Sequence, residues 1–143
     1  MTAVRKLDHR FVEVVPPELV SGILYVSLEY GTMIHLCCCG CGNEVVTPLS
    51  PNDWKLTFDG QTVSIHPSVG SWSLPCRSHY VITRGRVNWA DDWTEEQVAK
   101  GRARDQAIKA SAKQLEEVRL EPVQMLPEDR KSWRTRIGRL FRL

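Results

Sequence analysis

The feature that most limits how this chain can fold is a run of cysteines, Cys37-Cys38-Cys39-Gly40-Cys41, followed much later by Cys76. These two places hold all 5 cysteines of the 143-residue protein. An odd number of cysteines, clustered so tightly, makes a poor disulfide framework. Metal ligation is the better interpretation, and it requires a fold that brings the two distant segments together.

Zinc is the metal that this pattern favours, because it prefers thiolate and imidazole ligands in a tetrahedral shell. Two short pairs provide such a shell, one in a glycine-containing turn and one at C-x-x-H spacing, and the predicted ligands are Cys39, Cys41, Cys76 and His79. Four good ligands leave no open position for water, which indicates a structural ion rather than a catalytic one.

The choice of ligands stays open at one point. Cys38 and Cys41 also form a C-x-x-C pair, so Cys38 can replace Cys39. Otherwise Cys37 and Cys38 are interpreted as small buried hydrophobic residues, which free cysteines often are.

The hydrophobic pattern predicts short strands followed by a helix. Strands are expected at 11–15, 22–30, 33–36, 44–47, 54–58, 62–66, 79–82 and 87–89. Asp59-Gly60 and Arg84-Gly85 predict hairpin turns, and Thr94-Glu95-Glu96-Gln97 matches a capping box that opens a helix running toward residue 118. The predicted fold class is α+β: a small, mainly antiparallel β domain with a zinc-binding cysteine turn (1–92) and a helical C-terminal extension (93–143).

Charge and hydropathy exclude several classes of protein. The net charge of +2 is too small to indicate a nucleic-acid partner. The first ten residues contain no signal-peptide core, and no segment is long and apolar enough for a membrane span. We therefore expect a cytoplasmic protein without nucleic-acid or membrane partners.

Residues capable of nucleophilic catalysis surround the predicted ligands. His35 lies just before the cysteine turn, Glu29 is near enough to orient it, and Ser68 follows Pro67 at a bend whose amides can form an oxyanion hole. A serine after proline is usually a turn residue, however, and a histidine beside an apolar strand usually has a structural role. A Cys37 or Cys38 thiol is a further candidate nucleophile.

Several longer motifs resemble a known family. They are HLCCCGCG at 35–42, VTPLSP at 46–51 with Trp54, PSVGSW at 67–72 and PCRSHY at 75–80. Over about residues 10–100 the chain resembles a bacterial family catalogued as domain of unknown function 6527. The family pattern has asparagine where this chain has Ser71, which weakens any role of that side chain in an oxyanion hole.

The resemblance implies a peptidase that processes or removes a bacterial ubiquitin-like modifier at its C-terminal tail. It implies partnership with the modifier and with its activating and conjugating enzymes. Carried onto this chain, it makes His35 with Ser68 or Ser78 the catalytic group, beside a structural zinc. The tail would be held either as a strand added to a sheet edge or in a narrow channel, for which Trp54, Trp72 and Trp89 are candidate walls.

Two other functions remain alternatives. One is a zinc metallopeptidase with Glu29 or Glu44 as general base. The other is a non-catalytic, zinc-ribbon-like module that binds the modifier or its conjugation enzymes.

The C-terminal tail concentrates positive charge. After Pro127 a second, short helix is predicted, in which Trp133, Ile137, Leu140 and Phe141 share one face. Either that face docks on the β domain, or the helix binds an acidic groove on a partner of the modification pathway or an anionic membrane surface.

Overall fold

A computed structural model of the protein describes residues 2–120. This part of the chain contains eight strands followed by one helix. Their bounds are β1 Asp8–Phe11, β2 Ile23–Ser27, β3 Thr32–Leu36, β4 Glu44–Pro48, β5 Lys55–Phe58, β6 Val63–Gly70, β7 His79–Thr83, β8 Arg86–Trp89 and α1 Glu95–Leu120. The predicted α+β class is confirmed. The predicted tail helix lies outside the described residues.

The first sheet has the order β1-β2-β3-β4. Strand β1 runs parallel to β2, whereas β2, β3 and β4 form an antiparallel meander. The strand predicted at 11–15 is wrong, because the pairing of β1 with β2 starts at Asp8 and ends at Phe11. The next residue, Val12, donates a hydrogen bond from its amide to Val26 O. The cysteine turn connects β3 to β4, and Cys37 N donates to Asn43 O across its base.

The second sheet is an antiparallel meander, β5-β6-β7-β8. Both predicted hairpins are confirmed. In the first, Gly60 has φ +97° and Asp59 Oδ1 accepts hydrogen bonds from the amides of Gln61 and Thr62. In the second, Arg84 and Gly85 both have positive φ, as a type I′ turn requires.

The two sheets share one hydrophobic core. Its members come from both of them and include Leu24, Val26, Met33, Ile65, Tyr80 and Ile82. Cys37 and Cys38 are buried members of this core. The cysteine turn is thus anchored in the core that both sheets share.

Helix α1 begins with the predicted capping box. Gln97 Oε1 accepts from Thr94 N at 2.8 Å, and Gln97 N donates to Thr94 Oγ1 at 3.3 Å. Among the residues of α1, Val98 is the buried one, and Gly101 lies so close to Trp93 that an added Cβ would meet its ring at 3.1 Å. The first turns of α1 therefore pack on the segment that precedes them.

The chain divides into two units after Ala110. Residues up to Ala110 form one compact unit, and α1 from Ser111 onward belongs to the second. The predicted domain boundary at residues 92 and 93 stays a prediction. Within residues 2–120, no helix is long and apolar enough to cross a membrane.

Candidate active site and metal centre

Ser68 lies where strand β6 departs from a regular ladder. The pairing of β6 with β7 shifts between Ile65 and Val69, so Ser68 falls inside this irregular stretch. Such irregularities turn a side chain away from the direction it would take in a flat strand. Here the Ser68 hydroxyl is directed to the first residue of β7.

That residue is His79, whose Nε2 is 2.9 Å from Ser68 Oγ. Its other ring nitrogen, Nδ1, is 2.7 Å from the backbone carbonyl oxygen of Asp91. A carbonyl oxygen can only accept a hydrogen bond, so Nδ1 carries the proton and donates a hydrogen bond to Asp91 O. Nε2 is then the acceptor for the Ser68 hydroxyl, which is the tautomer that a general base needs.

The pair opens into a cleft of about 470 Å³. Its walls include the indoles of Trp54, Trp72 and Trp93. Trp72 and Trp93 are stacked with ring centroids 5.5 Å apart, and both contact the His79 ring, at 5.0 and 5.3 Å. A reacting group at Ser68 would therefore be held among aromatic surfaces.

Of the predicted channel walls, Trp54 and Trp72 line this cleft. Trp89 instead packs its ring against Tyr80, with centroids 5.3 Å apart. Sequence reasoning missed Trp93, which lies just before the capping box. Its position beside a cleft depends on the turn of the chain after β8, and the sequence carries no signal for that turn.

A second cluster consists of sulfur atoms. The Sγ atoms of Cys37, Cys39, Cys41 and Cys76 all lie within 4.8 Å of one another. Three of the separations are 3.5 Å (Cys37 to Cys39), 3.9 Å (Cys37 to Cys76) and 3.8 Å (Cys41 to Cys76). Tetrahedral zinc with bonds of about 2.3 Å to sulfur separates its ligands by about 3.8 Å. The cluster therefore has the size that a four-thiolate metal site requires.

The electrostatics of the cluster also fit a cation. Burial raises the pKa of the Cys37 thiol to about 12, so a thiolate there needs a positive charge beside it. Hydrogen bonds from Asn43 lower the pKa of Cys41 to about 6, which makes that thiol ready to ligate. A divalent metal would supply a positive charge beside the four sulfurs.

Three of the predicted ligands are thus brought together, and the fourth is placed elsewhere. His79 has both ring nitrogens engaged with Ser68 and Asp91, and Cys37 completes the group. Cys38 is fully buried beside Tyr80, and burial raises its pKa to about 11. This position agrees with the interpretation of Cys38 as a small buried residue.

The other predicted catalytic residues lie apart from Ser68. His35 is fully buried, bonds through Nε2 to the Tyr80 hydroxyl at 2.8 Å, and has its pKa lowered to about 4 by burial. Ser78 is buried beside the Cys37 sulfur. Glu29 and Glu44 are both exposed. The structure therefore pairs Ser68 with His79 rather than with His35.

Comparison with known protein families identifies a matching family. A family model described as bacterial ubiquitination-like system serine protease (BubE) matches residues 11–90, more than half of the chain. No curated protein and no solved structure matches the chain. The resemblance to a peptidase family of bacterial ubiquitin-like modification systems is thereby confirmed.

Proposed function

The chain belongs to the BubE family of serine proteases of bacterial ubiquitination-like systems, and on that premise we propose that Ser68 is its nucleophile and His79 its general base. The observation that carries the assignment is the 2.9 Å contact from Ser68 Oγ to His79 Nε2, with Nδ1 held by a carbonyl. Nucleophilic serine catalysis needs this sequence of hydroxyl, base and orienting group.

The reaction follows from these contacts. His79 Nε2 takes the Ser68 proton as Oγ attacks the scissile carbonyl carbon. The imidazolium then gives this proton to the leaving amine, and an acyl-enzyme remains on Ser68. In the second half, His79 Nε2 takes a proton from water as the water oxygen attacks the acyl carbon. The bond to Ser68 Oγ then breaks, Oγ regains the proton from His79, and the new C-terminal carboxylic acid is released.

The third member of the group is unusual because it is the neutral Asp91 carbonyl, not a carboxylate. A neutral acceptor stabilises the imidazolium less than an anion does. Its main contribution is to fix the ring orientation and the tautomer.

The substrate that we propose is the extended C-terminal tail of a ubiquitin-like modifier. Its activating and conjugating enzymes would be the other partners. The indoles of Trp54, Trp72 and Trp93 line the cleft that contains Ser68, and an extended tail of small residues is the kind of substrate that we expect such a cleft to hold. Cleavage there would process a precursor or release a conjugate.

We further propose that the four cysteines hold a structural zinc. Thiolate ligands suit zinc, and when bound the metal would tie the turn after β3 to the loop before β7. A four-sulfur shell leaves no open position, which favours the serine mechanism over a metallopeptidase. The described cysteines are all free, so a reducing cytoplasm suits the protein.

The test is cleavage of a modifier that carries a C-terminal extension, followed by mass spectrometry. We expect Ser68→Ala and His79→Gln each to lower the rate by roughly three orders of magnitude or more, because both act in one unit. Their matched controls are Ser21→Ala and His66→Gln, at exposed positions, which should cut normally.

Two results would redirect the assignment. Normal cleavage by Ser68→Ala, together with an inactive Glu29→Gln or Glu44→Gln, would establish a metallopeptidase. An absence of turnover in the wild type, with binding of the modifier retained, would establish a binding module.

A further inference from the structure

Arg77 occupies a strained position between the two sites. It follows the metal-cluster residue Cys76 and has φ +46°, in the left-handed region that a residue with a side chain rarely adopts. Its amide donates to Leu74 O at 3.0 Å, which closes the turn that leads to His79. Strained backbone that the surroundings hold in place often has a functional reason.

The guanidinium of Arg77 reaches across to the segment between β8 and α1. Nη2 donates to the backbone carbonyl of Trp93 at 2.8 Å and lies 3.5 Å from Asp92 Oδ1. Nη1 donates to Glu95 Oε1 at 2.6 Å. The same group lies 5.4 Å from the centroid of the Trp72 ring. One side chain thus contacts the ring of Trp72 and the backbone of Trp93, two of the residues that line the cleft.

This segment also carries the carbonyl that orients His79. Residues 90–94 belong to no strand or helix. The segment is fixed at its start by Ala90 N, which donates to His79 O, and at its end by the Thr94 cap. Between these two points, Arg77 contacts Asp92 and the Trp93 carbonyl, and the Trp93 ring packs against the rings of Trp72 and His79.

We propose that Arg77 is a positioning residue that clamps residues 91–93 against His79, so that the Asp91 carbonyl can take the place of a triad carboxylate. This inference rests on the proposed Ser68 and His79 pair. Because the carbonyl bears no charge, its contribution depends on its placement, and a loose segment would let the imidazole rotate or change tautomer. Arginine suits this role since its planar fork makes two directed bonds and keeps its charge at any working pH.

The test uses Arg77→Gly in the full-length protein. Glycine accepts φ +46° without strain, so the variant removes the side chain while leaving the turn its preferred backbone. Arg84→Gly is the matched control, because Arg84 is an exposed arginine with φ +49° in the hairpin between β7 and β8. The measurements are labelling of Ser68 by a fluorophosphonate reagent and steady-state hydrolysis of an N-acetylglycine p-nitrophenyl ester, with melting temperature and metal content alongside.

For Arg77→Gly we expect kcat and the labelling rate to fall by about 10- to 100-fold, with KM little changed, because the base is misplaced rather than removed. Millimolar methylguanidinium should restore part of the lost rate, whereas sodium chloride at equal ionic strength should not. Arg77→Lys should be nearly as slow, since an ammonium cannot make both directed bonds. Arg84→Gly should behave as the wild type and should not respond to methylguanidinium.

Three results would overturn the inference. If Arg77→Gly is labelled at the wild-type rate while Ser68→Ala is not labelled, the catalytic pair stands and the proposed role of Arg77 is refuted. Loss of labelling that follows loss of metal, without recovery by methylguanidinium, would assign Arg77 to the metal loop instead. Wild-type protein that is not labelled at Ser68 would refute the catalytic pair and the clamp together.

Discussion

Replacing Gly70 with alanine would drive a methyl group into the indole of Trp72. A Cβ built at Gly70 lies 2.4 Å from Trp72 Nε1, 2.6 Å from Cε2 and 3.0 Å from Cζ2. Ordinary contacts between such atoms begin near 3.5 Å, so the ring has to move by about 1 Å. The φ of Gly70 lies outside the left-handed region, and the clash is therefore the only penalty.

The displacement cannot stay local, because Trp72 is stacked on Trp93 and packs against His79. Overpacking of this kind costs about 1–3 kcal/mol of folding free energy. For a chain of this size that corresponds to a fall in melting temperature of roughly 3–10 °C. The same shift narrows the cleft beside the base, and we expect kcat/KM to fall by about 10- to 100-fold.

The assay pairs thermal unfolding with hydrolysis of the p-nitrophenyl ester. Gly60→Ala is the control. A Cβ added at Gly60 meets nothing within 4 Å, but the φ of +97° at this position strains any residue with a side chain. It should lose stability and keep wild-type activity. Adding Trp72→Ala to Gly70→Ala removes the clash, so the double variant should be no worse than Trp72→Ala alone.

Wild-type stability and activity in Gly70→Ala would refute the reasoning. Such a result would mean that the indole moves freely and does not form a fixed wall of the cleft. A loss of stability without any loss of activity would mean that the position of Trp72 does not affect the catalytic residues.

Two further predictions concern the metal cluster and the first hairpin. Cys37→Ser should lower the zinc content well below that of the wild type, whereas Cys38→Ser and His79→Gln should retain it, as measured by metal analysis; the reverse pattern would restore His79 as a ligand. Hydrogen bonds from Thr62, with that from the Gln61 amide, lower the pKa of Asp59 to about 2. The stabilisation that this shift represents is fully present above the pKa of Asp in the unfolded chain, about 3.9, and is lost as pH falls through about 2. An NMR titration that places the pKa of Asp59 near 4 would contradict the hairpin geometry.

Local features of the fold could be predicted from the sequence because each is decided by a few adjacent residues. Asp59-Gly60 supplies positive φ and an acceptor within one turn, and Thr94 with Gln97 satisfies the first amides of α1. The strand at 11–15 was predicted wrongly because its β-branched residues suit any strand, whereas pairing with β2 selects the preceding residues.

Most residues of the candidate site can be named from the sequence, but His79 is expected there as a metal ligand. Ser68 was a candidate nucleophile on local grounds, because a serine after proline marks a bend. His79 stands three residues after Cys76, a spacing that suits a metal ligand as well as a base in a different site. Only the direction of its ring separates these roles, and that direction is set by the pairing of β6 with β7 and by Asp91.

The sequence by itself determined that the chain is α+β, that a cysteine turn and a distant cysteine form one cluster, and which serine stands at a bend. The tertiary structure decided which histidine meets that serine. The side chains of His35 and His79 are chemically identical, but their positions in β3 of the first sheet and at the start of β7 in the second give them opposite surroundings. Burial against Tyr80 removes His35 from solvent, whereas the shifted register of β6 brings Ser68 to His79 at the edge of a cleft. Such contacts between residues far apart in the chain depend on strand register, which no short motif encodes.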